Sequence, residues 1–563
     1  MNFTALDLTV VIIYLVSMLA LGLYQARKIK NTGDYFAGGR GFNKFLMMMH
    51  ALGTGTHADD PVGVVGATYK HGFAGIWYTF VYLFVTPFYW IMAPLFRRAR
   101  FFTTADFFEA RFGKSLGLLY SVMGILTFAV NMGTLLKGTG LITSAITQGQ
   151  MPEWVAILGM TGVFLIYGTL GGLIATVVTE SVQGLLIVVM SVLLVPFGLS
   201  AVGGFAGLHQ LVESSKFSLH ASASMAEVTI PWIIAGTIMS LIGIVSQPHT
   251  MEVCSTGKTE FEGRVGFTYG NFVKRFCAIA WAFSGMVVIA MVANGQLAPL
   301  GENREAAFGT AIRALLPSGF TGLMFAAILA AQMSTLSAFM VAASALLSRN
   351  IYKRYINTAA TDRQVLGIAR FAGLLIVLLG LLFAFWVDSV ADALVFFWGL
   401  STLTGVFMWA GVLWKRTNSA GAWVSFIVMA TIWTIVGPIG AKLHEAYFAN
   451  VAWLGIYGEK KDLAWMVLSY LPAGVVTLIV VSFLTKPLPK TILDKFYLLL
   501  KTPVGQEDKL IEAGVDVVYA GATKPHPWET KYPVLVNVGG FFIALIVAFL
   551  FLGLLYLVSR LGA

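Results

Sequence analysis

Long apolar segments recur along almost the whole chain and are separated by short polar stretches. Each segment is long enough to cross the hydrocarbon core of a bilayer as a helix, and it lacks the alternation of a membrane β-strand. The pattern therefore predicts an all-α polytopic membrane protein. About fourteen spans are expected, at residues 4–26, 44–69, 73–96, 116–142, 153–173, 174–203, 227–250, 268–296, 318–347, 364–387, 390–414, 419–443, 464–485 and 533–559.

The composition excludes the soluble classes of protein. Of the 563 residues, 58% are hydrophobic and 11% are charged, whereas a soluble domain carries roughly 25% charged residues. A soluble enzyme, a disordered protein and a nucleic-acid-binding protein are excluded on this ground. The two cysteines, Cys254 and Cys277, are too few for a disulfide scaffold.

The distribution of Lys and Arg among the loops predicts the orientation of the chain. The loops after the first, third, seventh, ninth and thirteenth spans are rich in these residues, and the loops at 143–152 and 204–226 are poor. The loops that are rich in Lys and Arg are expected in the cytoplasm. Both termini are then expected on the outer side of the cell membrane, and 486–532 is expected to form a cytoplasmic loop. The charges assigned to the loop after the seventh span are Lys258, Arg264, Lys274 and Arg275.

Two of the spans contain residues that interrupt a helix. The second span carries glycines, two carboxylates and Pro61 near its middle, and the seventh ends in Ser246, Gln247 and Pro248. A pair of interrupted spans about five helices apart indicates a transporter built from inverted repeats with a site at the bilayer midplane. We therefore expect one transporter domain over 1–563. Its parts are the first span and loop (1–43), a first repeat (44–203), a second repeat (227–414) and additional C-terminal spans (415–563).

Four motifs occur in an order that identifies a family. They are DYFAGGR at 34–40, GGLIA at 171–175 followed by Glu180, QPH at 247–249 and AAQMSTLS at 330–337. With these motifs the chain resembles the sodium:solute symporter family, which includes proline permeases and sodium/glucose cotransporters. The resemblance implies a leucine-transporter-type fold, a 5+5 inverted repeat with extra helices. It also implies transport rather than catalysis.

The resemblance implies a sodium site between the second and ninth spans. Ala331, Ser334 and Thr335 share one face of a helix, and sodium prefers oxygen ligands. The family's common site uses the carbonyl at the Ala331 position and the two hydroxyls, with carbonyls at the positions of Gly53 and Thr56. The alternative is that both hydroxyls bond only to their own helix.

Some family members hold a second sodium ion, through an acidic residue on the sixth span and hydroxyls on the ninth. Glu180 and Ser337, together with Ser334, stand at the matching positions. Glu180 replaces the usual Asp, and Ala338 lacks a further hydroxyl. A carboxylate inside a membrane is functional by default, which favours ion contact. The alternative for Glu180 is a gate or a contact between helices.

Asp59 and Asp60 lie in the interrupted second span, where a carboxylate is costly unless water or a partner meets it. Three interpretations stay open. The pair contacts a cationic or amine-bearing solute, couples a proton together with His57, or forms an ion pair with a neighbouring helix. At least one of the two is expected to face the central cavity.

Two further residues are candidates for solute contact. Gln247 lies in the interrupted seventh span, in a motif that matches proline permeases better than sugar carriers. Thr79 and Asp60 replace a Glu and a Gln that contact sugar in the sugar carriers, which weakens a sugar interpretation. Gly55 stands where proline permeases need an Asp. The class of solute is therefore left open.

The expected function is sodium-coupled secondary active symport of a small organic solute by alternating access, with sodium as the coupling ion. A proton-coupled symporter and a transporter-like sensor are the alternatives. The sequence lacks a His cluster, a nucleophile elbow and a phosphate-binding loop, so enzymatic activity is not expected. The expected partners are the solute, sodium and the lipid bilayer, without nucleic acid or an obligatory protein partner.

Overall fold

The computed structural model describes residues 3–27, 32–37, 40–57, 59–222, 227–301, 303–387, 389–437, 439–440, 463–515, 517 and 524–563. Within these ranges the chain is helical, and its β-structure is a single isolated bridge between Phe42 and Gly257. Gly38 and Gly39 of the first motif, and the last residues of the predicted twelfth span, lie outside the described residues.

The helices of the first part of the chain are α1 (Ala5–Ala26), α2 (Thr32–Ala37), α3 (Lys44–Gly55), α4 (Asp59–His71), α5 (Trp77–Phe80), α6 (Thr86–Ala99), α7 (Thr104–Phe112), α8 (Lys114–Ile146), α9 (Glu153–Val202) and α10 (Gly204–Leu211). Those of the middle part are α11 (Ile230–Ile244), α12 (Pro248–Ser255), α13 (Glu260–Ala293), α14 (Ala307–Leu315), α15 (Phe320–Ala345), α16 (Asp362–Trp386), α17 (Val390–Leu413) and α18 (Ser419–Val436).

The last part contains α19 (Leu463–Leu484), α20 (Lys490–Lys501), α21 (Asp508–Glu512), α22 (Pro527–Lys531) and α23 (Gly540–Val558). Shorter 3₁₀ segments lie at Gly72–Ile76, Ser214–Phe217 and Arg304–Ala306, and π-helical segments lie at Leu346–Ile356 and Leu535–Gly539.

The described residues contain 10 helices that are long and apolar enough to cross a membrane, and α11 with α12 forms an eleventh span bent by 60°. Of the fourteen predicted spans, the second, third and fifth are not among these eleven. The second is α3 followed by α4, and the third combines a 3₁₀ turn with α5 and α6. The fifth is joined to the sixth within α9, where Gly172 has a φ of 51°. A side chain at Gly172 would collide with the ring of Tyr35, so this kink requires glycine.

Both predicted interruptions are present. α3 ends at Gly55, Thr56 is extended with φ −124° and ψ 118°, and α4 begins at Asp59. In the seventh span, Gln247 is extended with ψ 126° between α11 and α12. Each break leaves backbone carbonyl groups outside the helical hydrogen-bond ladder, where they can bind other groups.

The centre of the bundle is formed by α15, whose most apolar window is 100% buried, and by α17, α13 and α8, which are 83%, 78% and 72% buried. By contrast α1, α18 and α23 are 22%, 28% and 17% buried and present large apolar side chains outward, as lipid-facing helices do. Ala327, Ala330 and Ala331 make α15 slender, which allows neighbouring backbones to approach it closely.

The described part of 486–532 packs back on the bundle. Phe496 on α20 contacts Phe107 on α7 with a ring-centroid distance of 5.1 Å. The guanidinium group of Arg100 lies 2.9 Å from the carboxylate of Glu507 and donates hydrogen bonds to the carbonyls of Thr502 and Pro503. This segment is therefore docked on α6 and α7.

Candidate sodium and solute sites

A central cavity lies where the two interrupted spans meet α5, α8, α13 and α17. Its floor and walls combine polar groups with aromatic rings. The lining includes Thr54, Gly55, His57, Asp59, Asp60, Tyr78, Thr79, Tyr82, Tyr89, Asn131, Gln247, His249, Asn271, Lys274, Arg275, Phe397 and Trp398. The four residues that the sequence singled out for solute contact, Asp59, Asp60, Thr79 and Gln247, thus lie around one space.

Next to this cavity, the end of α3 meets the middle of α15. The carbonyl oxygen of Gly53 accepts hydrogen bonds from the hydroxyls of Ser334 at 3.1 Å and Thr335 at 2.8 Å. Both hydroxyls also lie within 3.1 Å of the carbonyl oxygen of Ala331. One hydroxyl proton can serve only one of two carbonyl groups at a time. Two carbonyls and two hydroxyls thus form a buried oxygen cluster in which a cation would satisfy several lone pairs at once.

Thr56 lies beside the same cluster. Its backbone is extended, and together with Ala331 it lines a second, smaller cavity. The hydroxyl of Thr56 is buried and has no hydrogen-bond partner among the described residues. The structure therefore brings all five residues of the first predicted sodium site to one place.

The residues of the second predicted sodium site are not joined in the same way. The carboxylate of Glu180 contacts α3, with one oxygen 2.6 Å from His50 Nδ1 and the other accepting a hydrogen bond from Thr54 at 3.1 Å. The hydroxyl of Ser337 donates to the carbonyl of Ser334 on its own helix at 2.9 Å. This geometry matches the alternative of a helix-pairing contact for Glu180.

Asp59 and Asp60 have different partners. The carboxylate of Asp60 lies 2.9 Å from the ammonium group of Lys274 on α13 and accepts a hydrogen bond from the backbone N–H of His57 at 3.0 Å. Asp59 is fully buried, and its carboxylate lies 3.2 Å from His57 Nδ1. Of the three interpretations, the ion pair with a neighbouring helix is the one that Asp60 adopts here.

The other two candidates contact polar groups of the cavity wall. The side chain of Gln247 donates to the hydroxyl of Tyr82 at 3.3 Å. The carbonyl oxygen of Thr79 accepts a hydrogen bond from Arg275 at 3.0 Å. Tyr82 packs edge-on against Trp398, with ring centroids 6.3 Å apart. These contacts connect the break of the seventh span with the third span and α13.

The sequence model of the sodium:solute symporter family matches residues 35–428. The chain belongs to this family.

Similar proteins of this family carry different solutes. The chain is 25% identical to the sodium/glucose cotransporter of Vibrio parahaemolyticus, over 75% of this chain and 83% of that protein. It is 25% identical to the osmoregulated proline transporter OpuE of Bacillus subtilis, over 76% of this chain and 88% of the relative. It is 23% identical to the sodium/pantothenate symporter of Escherichia coli, with 81% and 94% covered.

A solved structure of a Na⁺-coupled sialic acid symporter in a substrate-bound, outward-open state superposes with a TM-score of 0.72. It shares 21% identity and covers 86% of this chain and 99% of that chain. This likeness establishes the leucine-transporter-type fold. Membership of the sodium:solute symporter family makes this multi-pass membrane protein a sodium-coupled symporter of a small solute.

Within this symporter family framework, the assignment of Lys274 and Arg275 to a cytoplasmic loop was wrong. Both lie inside α13, are 8% and 2% exposed, and face the central cavity. The predicted eighth span, 268–296, already contained both residues, so counting them as loop charges contradicted it. α13 begins at Glu260 and also contains Arg264, the third misassigned charge. An apolar window gives no signal for charged side chains that turn into a bundle. The detectable signal was the spacing of Asn271, Lys274 and Arg275, which share one helical face at i, i+3 and i+4.

His50, the partner of Glu180, was also missed by the sequence analysis. A single histidine in an apolar helix gives no signal of its own, and its spacing to Thr54 at i+4 becomes informative only once the facing helix is known.

A cluster of charges lies next to the cavity-lining residue Tyr78 and is centred on Glu227, three residues before α11 begins. Its carboxylate accepts hydrogen bonds from Lys70 at 3.0 Å, Arg304 at 2.8 Å and the hydroxyl of Tyr78 at 2.6 Å. Burial acts to raise the pKa of Glu227, but contacts with His71, Arg304 and Tyr78 outweigh it and hold that pKa well below its usual range. The cluster ties the end of α4 to the loops on either side.

Proposed function

We propose that this symporter binds sodium in the oxygen cluster of Gly53, Thr56, Ala331, Ser334 and Thr335, and its solute in the adjacent central cavity. Alternating access would then expose both sites first to one side of the membrane and then to the other. The observation that carries the proposal is the convergence of the two α15 hydroxyls on the carbonyl of Gly53 at the broken end of α3.

The proposed sodium site suits a hard cation. Its oxygens come from carbonyl and hydroxyl groups, which are ligands that such ions accept. Ser334 and Thr335 are wholly buried, so an ion that enters must exchange water for these oxygens. Since the ligands come from both α3 and α15, a bound ion would hold the two helices together.

The segment that binds sodium continues directly into the wall of the solute cavity. Thr54 and Gly55 follow Gly53 and line that cavity. An ion that orders the segment 53–56 therefore also sets the position of groups that a solute would meet. Such shared backbone gives each ligand a differential effect on the other's binding, which is the thermodynamic requirement for coupling.

The second sodium ion remains a prediction for Glu180 and Ser337, and protons remain the alternative coupling ion. The observation that supports a proton as the coupling ion is the contact between Glu180 and His50, because both side chains can bind and release a proton. The identity of the coupling ion is accessible by comparing sodium and proton gradients in one preparation, and the number of sodium ions by measuring the ratio of sodium to solute taken up.

The test uses purified protein in proteoliposomes, with a panel of radiolabelled amino acids, sugars and small carboxylates. Uptake should require an inward sodium gradient, and an equal potassium gradient should not replace it. Uptake driven by an inward proton gradient in sodium-free buffer would contradict the proposal. Thermal-shift titration with NaCl against KCl gives an independent measure of sodium binding that does not require the solute to be known.

A further inference from the structure

Among the charged side chains that line the central cavity, Arg275 is the one that forms no ion pair with the described residues. The cavity wall on α13 carries two cations, Lys274 and Arg275, on one helical face. They face the break of the second span and the short helix α5. Lys274 forms an ion pair with a carboxylate of the protein, whereas Arg275 does not, and this difference indicates which of the two can bind a charged solute.

Lys274 is neutralised within the protein. Its ammonium group lies 2.9 Å from the carboxylate of Asp60 and also donates a hydrogen bond to the carbonyl oxygen of Gly55. The remaining carboxylate of this region, that of Asp59, lies 3.2 Å from the imidazole of His57. Asp60 is therefore paired within the protein, and Asp59 lies beside a basic side chain although neither of its oxygens accepts a hydrogen bond from the described residues.

The guanidinium group of Arg275 makes its direct contacts with neutral groups, and a carboxylate that acts on it electrostatically, that of Asp60, is already paired with Lys274. One terminal nitrogen donates to the carbonyl of Thr79 at 3.0 Å, and the group lies 5.6 Å from the ring centre of Tyr82. Tyr89 is also beside it. Its Nε has no hydrogen-bond partner among the described residues, and none of their carboxylate oxygens lies within 4.0 Å of it.

A buried guanidinium group without a counter-ion is costly because Arg does not lose its proton in proteins. The cost falls when an anion arrives, and a carboxylate is the anion whose two oxygens match the planar fork of the guanidinium. Another part of the cavity lining is formed by the aromatic rings of Phe397 and Trp398 on α17, which would cover an apolar part of a small molecule.

We infer that the solute carries a carboxylate group and that Arg275 binds it, with the remainder of the solute against the aromatic wall. This inference rests on the proposed function, because it assumes that the central cavity is the solute site. It goes beyond that proposal in naming the chemical class of the solute and the residue that selects it.

The test compares acids with their own amides on wild-type protein in NaCl. The pairs are lactate with lactamide, benzoate with benzamide and proline with prolinamide. They represent aliphatic, aromatic and zwitterionic carboxylates, and each pair differs in the carboxylate alone. Thermal shift gives binding, and sodium-driven uptake into proteoliposomes gives transport. We expect at least one acid to bind at least about tenfold more tightly than its amide.

Variants identify the residue. Arg275→Gln should lower the affinity for that acid at least about tenfold and leave the NaCl-dependent thermal shift unchanged. The affinity of Arg275→Lys for the acid should lie between the affinities of Arg275→Gln and wild type, because lysine keeps the positive charge but lacks the planar pair of N–H donors. Arg264→Gln is the matched control. It removes a buried guanidinium about three turns earlier on the same helix, outside the cavity, and should bind the acid as wild type does.

Several results would overturn the inference. They are amides that bind as tightly as their acids, no acid that binds, or an acid that binds Arg275→Gln as tightly as wild type. The comparison of each acid with its amide uses wild-type protein alone. It therefore tests the requirement for a carboxylate even where a variant fails to fold. Sodium-driven uptake of an uncharged solute without any carboxylate binding would remove the inference and leave the proposed function standing. Carboxylate binding that depends on Arg275, without sodium-driven uptake of any solute, would remove the sodium coupling of the proposed function and leave the carboxylate site standing.

Discussion

The carbonyl oxygen of Gly53 and the hydroxyl of Thr335 lie 2.8 Å apart although 282 positions separate them in the sequence. This contact joins the broken end of α3 to the most buried helix of the bundle. The hydroxyl of Thr335 donates a hydrogen bond to this carbonyl, and the proposed sodium ion would replace that bond with a contact to each oxygen. The contact therefore marks the place where ion binding can alter the structure.

The first prediction concerns the hydroxyl ligands. Thr335→Ala and Ser334→Ala should each raise the sodium concentration needed for half-maximal stabilisation. Losing one oxygen ligand should weaken sodium binding by about 1–3 kcal/mol, by analogy with an unmet polar contact. The measurement is a thermal-shift titration with NaCl at constant ionic strength.

The matched controls for these variants are Thr127→Ala and Ser284→Ala. Both residues are buried, and their hydroxyls bond to their own helices four residues earlier. They should lose a similar amount of intrinsic stability and keep the wild-type response to sodium. Unchanged sodium titrations for Thr335→Ala and Ser334→Ala would remove these hydroxyls from the ion site.

The second prediction concerns the space beside Gly53. A Cβ atom at this position would lie 2.9 Å from Cγ of Glu180, so Gly53→Ala must displace either the α3 backbone or the glutamate. We expect this variant to lose sodium-dependent stabilisation. At Gly63, by contrast, a Cβ atom would lie 3.6 Å from Leu394, an ordinary contact, and Gly63→Ala should be stabilising or neutral. Equal behaviour of the two variants in the sodium titration would contradict this assignment.

The third prediction concerns the ion pair between Asp60 and Lys274. Asp60→Asn leaves a buried ammonium group without its carboxylate and should destabilise the protein by about 3 kcal/mol. The double variant Asp60→Asn with Lys274→Met should recover part of that loss, because neither charge remains. Melting temperatures of the three variants test this. A double variant whose loss equals the sum of the two single losses would show that the two side chains are not coupled.

The fourth prediction concerns pH and the cluster around Glu227. Its pKa is lowered in the folded protein, so its stabilising effect is complete above the ordinary value of 4.5 and is lost as pH falls further. The difference in melting temperature between wild type and Glu227→Gln should thus stay constant from pH 8 to pH 5. It should shrink below about pH 4.5. A difference that already shrinks between pH 7 and pH 6 would mean that Glu227 is not the group involved.

The fifth prediction concerns orientation. Ser215 and Lys501 are exposed at opposite predicted sides of the membrane, and the native cysteines Cys254 and Cys277 are buried. In intact cells, Ser215→Cys should react with a membrane-impermeant thiol reagent, and Lys501→Cys should react only after permeabilisation. Labelling of Lys501→Cys in intact cells would reverse the predicted topology.

The sequence was sufficient for features that lie within a few residues of each other. The breaks of the second and seventh spans follow from glycine and proline inside apolar windows, and Ala331, Ser334 and Thr335 share one turn of one helix. Contacts across the bundle do not follow from the pattern of residues, and the one that was expected, between Gly53 and the α15 hydroxyls, came from the resemblance to the family. The pairing of Asp60 with Lys274 joins positions 214 residues apart, and an apolar window cannot show that a charge near its edge turns inward. For the same reason the sequence could place Glu180 in the membrane but could not choose between Ser337 and His50 as its neighbour.

The oxygens proposed to hold sodium are carbonyl and hydroxyl groups, and none of them carries a formal charge. A sodium ion that leaves water for this cluster therefore keeps its full charge as it moves through the electric field of the membrane. Carrying one elementary charge across 100 mV corresponds to about 2.3 kcal/mol. Because Ser334 and Thr335 are neutral, the proposed site would carry one net charge when sodium is bound and none when it is empty, so the step that moves the loaded site through the field would depend on voltage. The same neutral ligands that suit a hard cation would thus assign the voltage dependence of transport to the movement of the loaded site and not to the return of the empty one.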